Sequence, residues 1–598
     1  MRLRAWAPAG TGAEPPGRGS FRDAFQGKRF SSIRIRGTVL GGFINHARGD
    51  GTRALPFTAG AFMQDSGMGS TAVAAKKKRI ACLGFVLVFS AFSLFYNLGG
   101  RSLENHDGVR YAECAREILE TGDWVMMHLG GRIYVDKPPL HFWIVALSYR
   151  LFGVNAMAAR VPSAVFGLIG VLATLFFAAR IDRENRRTAI HAASFLVSAY
   201  GYALYARTSR IDVGFAVLFS LCLVCFYLGS ETDSTRRRAL CYAFSWFFMG
   251  CAFLDKGPAA FLALPVMAVF LFARREKGNT TGRTLSATSA VLLLTILPWI
   301  VLLWFHKDFD PYLSLLKSAT IMTRKAGFFY YFPEFFKKFF PGAIFLPVAA
   351  SALWRGRRIF RENSGMLFCL IWAALYLAAI HLTSVRNHRY LLPAYPPLAV
   401  LAAWGTARVF KEGRLPGRGG NAWKIGACLG AGILCIAVPV ALWAYFGWRW
   451  GPLILSLAAA GAFLFAWKVL RDIVVFTCTL CLVAFLFLDL GRTAINPRVS
   501  DVRRLYSVLQ ERDIRVKEVL LFRTPPGVQK TLSFYYNHLV RQKDDFLPHG
   551  GTPKAIVTPA GEMAAVARVY GSRPEGSVRV RDHRDRRNRD VYVVFPPR

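Results

Sequence analysis

From position 79 to position 490 the chain consists of apolar runs of roughly 17–25 residues parted by short polar breaks, each run long enough to cross a bilayer core of about 30 Å. Apolar length places spans at 80–98, 157–180, 188–205, 213–230, 239–254, 258–274, 285–305, 341–354, 366–382, 391–410, 425–447, 452–468 and 471–490, about thirteen in all. The stretch 139–152, PLHFWIVALSYRLF, is apolar but short. Counted as a span, it would put the basic loops at 183–187 and 236–238 outside. Read as an amphipathic helix lying in the interface, it leaves every basic cluster on the cytoplasmic side with the N-terminus. The pattern therefore predicts a mainly α, polytopic membrane protein with an interfacial helix in its first outer loop. The segments 99–156, 206–212, 306–340, 383–390 and everything after 490 fall on the outer face.

The flanks read differently. Residues 1–73 are rich in Gly, Arg, Ser and Pro without sustained periodicity, a composition that cannot bury a core and predicts a disordered tail. Met68, just ahead of the basic AAKKKR flank, is an alternative start. The transmembrane domain then occupies 74–490. Residues 491–598 alternate helical stretches (Val502 to Glu511, Thr531 to Leu539) with strand-like runs (Glu518 to Phe522, Val591 to Phe595), which predicts a small C-terminal α/β domain outside the membrane.

Composition supports the membrane reading. Of 598 residues, 54% are hydrophobic, and mean hydropathy is +0.31. A soluble chain of this length would need far more charged surface. The net charge of +40 is not a nucleic-acid signature, because the basic residues are dispersed in short clusters between spans and no nucleic-acid motif accompanies them. Those clusters include Lys76 to Arg79, Arg236 to Arg238, Arg355 to Arg361 and Lys411 to Lys424, and a further basic stretch runs from Arg579 to Arg589. Of the cysteines only Cys114 sits in a polar loop. The CxxC spacings Cys222/Cys225 and Cys478/Cys481 lie inside apolar runs and read as small apolar filler.

The chemistry concentrates in Glu104 to Trp143, a polar loop after the first span. Acids and a lysine at a membrane surface are costly unless they act on something charged. Val109 to Glu120 has an apolar face at Ala112, Ala115, Ile118 and Leu119, with Glu113, Arg116, Glu117 and Glu120 opposite, and Gly122 is placed to stop the helix. Asp107 at its start fits two roles: an N-cap, or a carboxylate aimed at a membrane-surface site. Lys137, held extended by Pro138-Pro139, presents a cation where a lipid phosphate would lie, or snorkels to headgroups. Asp136 beside it suits a metal or sugar ligand, or a partner for Lys137. Asp212 opens the fourth span from outside and reads as a site acid or as a cap paired with Arg207 or Arg210. Asp255-Lys256-Gly257-Pro258 reads as a turn with an ion pair. Arg324 and Lys325 precede an aromatic run, and Arg386, His388, Arg389 and Tyr390 are similarly placed. No histidine-carboxylate cluster has strong metal spacing.

Together these motifs resemble the GT-C glycosyltransferases that use polyprenyl-phosphate sugars. The nearest members are the aminoarabinose transferases of lipid A modification and the bacterial homologues of protein O-mannosyltransferases. The resemblance is carried by Asp107-Gly108-Val109-Arg110-Tyr111-Ala112-Glu113, Gly122-Asp123-Trp124, Asp136-Lys137-Pro138-Pro139 and Leu151-Phe152-Gly153 in that order. Weaker echoes follow at Arg207 to Asp212, Lys256-Gly257-Pro258, Phe329 to Tyr331 and Arg389 to Pro393. Gly108 stands where the family usually has glutamate, Asp136 replaces the commoner glutamate, and the family's histidine-arginine pattern is not evident around Ser318 to Lys325.

The resemblance implies a GT-C fold and an integral membrane glycosyltransferase of the bacterial inner membrane, with its site on the periplasmic face. A sugar would pass from undecaprenyl phosphate to a lipid A-type acceptor by an inverting displacement. Asp107 and Asp212 are the implied catalytic acids. Lys137, Arg324 and Arg389 are the expected donor-phosphate ligands, and Asp136, Tyr390 and Arg110 the expected cavity lining. The implied partners are the lipid-linked donor, a lipid or protein acceptor and membrane lipids, with no nucleic acid. A divalent metal ion stays open as a cofactor. The alternatives are protein O-mannosyltransferase-like transfer to protein or another glycan, and a lipid-linked sugar flippase. A flippase would place charges near the bilayer midplane and break its helices there, whereas here the ionisable residues cluster at one face.

Overall fold

The computed structural model describes residues 70–100, 103, 106–274, 279–318, 327–383 and 386–412, and beyond these short stretches of 474–486, 506–514 and the strands below. Most of the expected tail, the spans at 425–447 and 452–468, Arg324, Lys325 and the predicted helix at 531–539 lie outside the described residues.

The first helix, α1 (Ser70–Phe95), begins inside the expected tail and carries the first span. In the first loop come α2 (His106–Thr121), a hairpin of β1 (His128–Leu129) and β2 (Arg132–Ile133), and α3 (Leu140–Phe152). The bundle continues with α4 (Ala156–Ile181), α5 (Arg187–Ser198), α6 (Tyr200–Ala206), α7 (Ile211–Ser230) and α8 (Thr235–Lys256). After a 3-10 segment at Gly257–Leu262 follow α9 (Ala263–Arg274), α10 (Asn279–Thr288), α11 (Ala290–Trp304) and α12 (Phe309–Ser318). Next come α13 (Tyr331–Lys338), α14 (Gly342–Arg355), α15 (Ile359–Glu362), α16 (Ser364–Leu382) and α17 (Tyr395–Glu412), which is preceded by a 3-10 segment at His388–Ala394, and helical residues between 474 and 486 join the same core.

Among the described residues, Ala156–Ile181, Ile211–Ser230, Thr235–Arg274, Thr281–Trp304 and Ser364–Leu382 are long and apolar enough to cross a membrane, and α13 and α14 form a bent pair at 106°. The chain is thus a multi-pass membrane protein. Local chemistry sets the boundaries. Asn155 and Asn363 cap α4 and α16, their side chains accepting from the N–H groups of Ala158 and Met366. Gly122 and Gly257 end α2 and α8 with φ of 73° and 77°, a conformation that favours glycine. The central span is α7, buried from Ile211 through Phe219. In contrast, α11 exposes Leu293, Leu294, Leu302 and Trp304, an outward apolar surface that lipid would solvate.

Three sequence readings change. The expected span at 188–205 is two helices, because Ala199 leaves the helical region at ψ 116° and the Tyr200 N–H donates to the Phe340 carbonyl at 3.0 Å. The expected span at 341–354 is one limb of a bent pair. The polar residues opposite the apolar face of α2 are not a solvent face: Glu113, Arg116 and Glu117 are buried along with Ala112, Ala115 and Ile118, and of those four charged residues Glu120 alone is exposed. By contrast, the stretch read as too short to span is a single short helix, α3. At 13 residues it is about 20 Å long, too short for a bilayer core.

Farther along the chain, β3 (Val519–Phe522), β4 (Arg541–Lys543), β5 (Ala555–Pro559), β6 (Gly576–Arg581) and β7 (Asn588–Val594) form a five-stranded sheet in the order β4-β3-β5-β7-β6. β3 pairs in parallel with β4 and β5; β5 with β7 and β7 with β6 are antiparallel. The two strand-like runs read from sequence are β3 and β7.

Candidate active site

Four elements meet around two carboxylates. Asp107 lies in the first turn of α2 and Asp212 in the first turn of α7. Arg389 comes from the 3-10 segment at His388–Ala394, and Lys256 from the last turn of α8. The Arg389 Nη1 lies 2.7 Å from Asp107 Oδ2 and 3.3 Å from Asp212 Oδ2, so one guanidinium ties both acids together. Arg210 Nη1 also reaches Asp107 Oδ2, at 3.3 Å, and Lys256 Nζ sits 2.7 Å from Asp212 Oδ1. The same ammonium lies 5.0 Å from the Phe215 ring centre and 4.9 Å from that of Tyr390, a cation–π arrangement that helps hold the charge.

Each member is positioned by its neighbours. Asn387 Oδ1 accepts from the Arg389 backbone N–H and from its Nε, fixing the guanidinium plane, and the Asn387 N–H donates to the Tyr331 hydroxyl. The backbone leading to Asp212 is pinned where Ser163 Oγ donates to the Arg210 carbonyl at 3.1 Å. On the far side, the Arg207 side chain donates to the Ser93 carbonyl. Burial works against the Arg389 charge, but Asp212 and then Asp107 outweigh it, and its pKa is raised above the usual arginine value. Burial also pushes the neighbouring His388 down to about 4, with Lys338 adding to the shift, so this imidazole is neutral at neutral pH.

Lys137 lies half-buried beside this network, next to Pro138, whose Cγ is near Gly257 at the end of α8. Burial and then the Lys256 charge lower its pKa below that of an ordinary lysine, while Asp136 and Asp212 pull it back up. Asp136 does not pair with Lys137; it meets Arg110 Nη1 at 3.2 Å with half of its side chain exposed. Tyr390 lies on the network as a ring under Lys256.

The structure therefore brings Asp107, Asp212, Arg389, Tyr390 and Lys137 to one place, with the Arg110–Asp136 pair on the adjoining loop. Several readings are corrected in detail. Asp212 is not a cap partner of Arg207 or Arg210; its partners are Lys256 and Arg389. Lys256 does not pair with Asp255 in a local turn but reaches across to α7. Arg389, expected on the donor phosphate, also bridges the two acids. Sequence reasoning did not place Lys256 and Arg210 in the site. The signal was there for Lys256, an ionisable residue between the two apolar runs of the 40-residue helical segment Thr235–Arg274. Among the described residues no group of three or more His, Cys, Asp or Glu side chains stands close enough to hold a metal ion.

Membrane-length helices with the site's acids and cations gathered at one end, and a polar loop with a short apolar helix after the first span, make up a multi-pass helical membrane fold of known type. The solved structure of ArnT from Cupriavidus metallidurans has that fold: at 22% identity it covers 87% of this chain and 98% of its own, with TM-scores of 0.67 for the apo form and 0.68 for the form bound to undecaprenyl phosphate. A family model described as dolichyl-phosphate-mannose-protein mannosyltransferase matches residues 136–304. The undecaprenyl phosphate-α-4-amino-4-deoxy-L-arabinose arabinosyl transferase of Aeromonas salmonicida is 31% identical over 360 residues, which is 58% of this chain and 64% of that protein. Its counterpart in Edwardsiella ictaluri is 29% identical over 388 residues, 62% of this chain and 67% of the relative. The similarity thus spans about two thirds of these relatives or slightly less, and it agrees with the resemblance read from the first-loop motifs.

Proposed function

We propose that this chain transfers a sugar from undecaprenyl phosphate to a lipid A-type acceptor at the outer face of the inner membrane. The observation that supports this most is the joining of Asp107 and Asp212 by Arg389 beside Lys137, on the fold of a transferase solved with undecaprenyl phosphate. In this reading Asp107 orients or deprotonates the acceptor nucleophile, taking the proton of a hydroxyl acceptor as its oxygen attacks the anomeric carbon in line. The C–O bond to the phosphate breaks, and Lys137 stabilises the charge growing on the departing phosphate. One displacement inverts the anomeric centre. Phosphate is already a good leaving group, so positioning and electrostatics carry most of the rate. Lys256 and Arg389 keep Asp212 fixed, and Asp212 in turn orients the arginine that holds Asp107.

The test is purified protein in detergent with undecaprenyl phosphate-aminoarabinose and lipid A. The expected product is lipid A heavier by one aminoarabinose residue. Protein O-mannosyltransferase-like activity would appear instead as mannose on a Ser/Thr peptide supplied with a polyprenyl-phosphate mannose donor. Absence of the lipid product together with a glycopeptide would overturn the acceptor assignment.

The lowered pKa of Lys137 has a kinetic consequence. A lysine needed in its charged form loses that charge at a lower pH when its pKa is depressed, so donor kcat/KM should fall on the alkaline side earlier than an ordinary lysine would dictate. Lys137→Arg should shift that limb to higher pH. A limb unmoved by Lys137→Arg would assign it to another group.

A further inference from the structure

We propose that Glu117 is a positioning residue that holds the donor-phosphate lysine in place through the first-loop hairpin, an assignment that rests on Lys137 being the phosphate ligand. Glu117 lies on α2 and is only 3% exposed. Its neighbour Arg116 is committed elsewhere, to Glu113 at 2.9 Å and Glu120 at 2.8 Å. The Glu117 carboxylate instead accepts two backbone N–H groups, Gly130 on Oε1 at 2.5 Å and Gly131 on Oε2 at 3.0 Å. These glycines form the turn between β1 and β2, with φ of 66° and 70°. A buried carboxylate that engages both oxygens on one turn fixes that turn against the helix, because losing either bond leaves an acceptor unsatisfied.

The chain leaving this turn leads to Lys137. Strand β2 pairs back on β1, and the Tyr134 N–H donates to the Met127 carbonyl at 2.8 Å. The Tyr134 ring then packs edge-on against Phe142 of α3, 5.8 Å between centres. Asp136 is tied to Arg110 of α2, and Lys137 follows directly. The lysine is thus carried on a strap held to α2 at two points, by Glu117 upstream and by Arg110 beside it. The same α2 bears Asp107, so Glu117 sets the spacing between the acid that orients the acceptor and the cation that meets the phosphate. Such spacing is what an in-line displacement needs.

The test compares Glu117→Ala, Glu117→Gln, Gly131→Ala and Lys137→Ala in purified protein, with steady-state kinetics on undecaprenyl phosphate-aminoarabinose and lipid A and thermal unfolding in detergent. Glu117→Ala should raise donor KM at least about tenfold while leaving acceptor KM near wild type. Glu117→Gln, which retains one carbonyl acceptor, should recover part of the loss. Gly131→Ala perturbs the same clamp from the turn, where φ is 70°, without touching the buried face of α2, and should raise donor KM in the same way. If Glu117→Ala does not fold, Gly131→Ala decides. Donor KM unchanged in the folded variants while Lys137→Ala raises it would overturn the assignment, as would equal losses toward donor and acceptor. Donor KM unchanged in Lys137→Ala would instead overturn the phosphate reading on which it rests.

Discussion

Asp107→Asn is expected to lower sugar transfer by about 10²–10⁴-fold at unchanged protein abundance, the span a positioned acid–base group typically contributes. The substitution keeps the shape of the side chain and removes its charge. Two guanidiniums, Arg210 and Arg389, converge on Asp107 Oδ2. Asparagine there can still accept a hydrogen bond through its carbonyl oxygen, which should preserve the local fold, but it can neither hold an acceptor O–H with a full negative charge nor take its proton. The measurement is single-turnover transfer in membranes matched for protein content, with folding checked by detergent gel filtration. A variant with wild-type transfer would reduce Asp107 to a helix-start acid that merely balances two arginines.

The second large effect is on stability. Asp212→Ala removes the carboxylate that Lys256 and Arg389 share, and both cations are largely buried, with side-chain exposures of 12% and 18%. Breaking a buried pair by removing one partner leaves uncompensated charge and costs about 3–5 kcal/mol. Lys256 is the cation left without its carboxylate, although the Phe215 and Tyr390 rings still face it, while Arg389 keeps Asp107 at 2.7 Å. Asp212→Ala should therefore melt well below wild type in detergent and lose transfer, whereas Lys256→Met combined with Asp212→Leu should recover stability but not activity. Thermal unfolding followed by gel filtration checks both. An unchanged melting profile in Asp212→Ala would mean that Lys256 finds another partner and that Asp107 alone suffices for Arg389.

Much of this site was legible because lipid imposes a simple rule on sequence. Ionisable residues at the edges of apolar runs are conspicuous, which is why Asp107, Lys137, Asp212 and Arg389 stood out. Pairing was not legible. Lys256 and its sequence neighbour Asp255 read as a local ion pair, yet Gly257 ends α8 and the lysine reaches Asp212 on α7. Side-chain reach across helices has no signature in local spacing. Periodicity located the apolar face of α2 but not the burial of Glu113, Arg116 and Glu117, because a helix pattern shows which face is apolar and not whether the other is also covered. The break at Ala199 lies in a continuous apolar run and depends on the Phe340 carbonyl, far away in the chain. In the C-terminal sheet the apolar runs of β3 and β7 were readable. β4 and β6 carry too many charged and polar residues for a hydrophobic pattern to single out.

The measurement that bears most directly on the central claim is transfer by the wild-type protein from a panel of polyprenyl-phosphate sugars to lipid A, with the anomeric configuration of the product read by NMR. Transfer from at least one donor is expected, with release of polyprenyl phosphate and an inverted anomeric centre. A retained centre would contradict the single displacement, and no transfer from any donor, with lipid-linked sugar instead moving across reconstituted bilayers, would contradict the glycosyltransferase reading altogether.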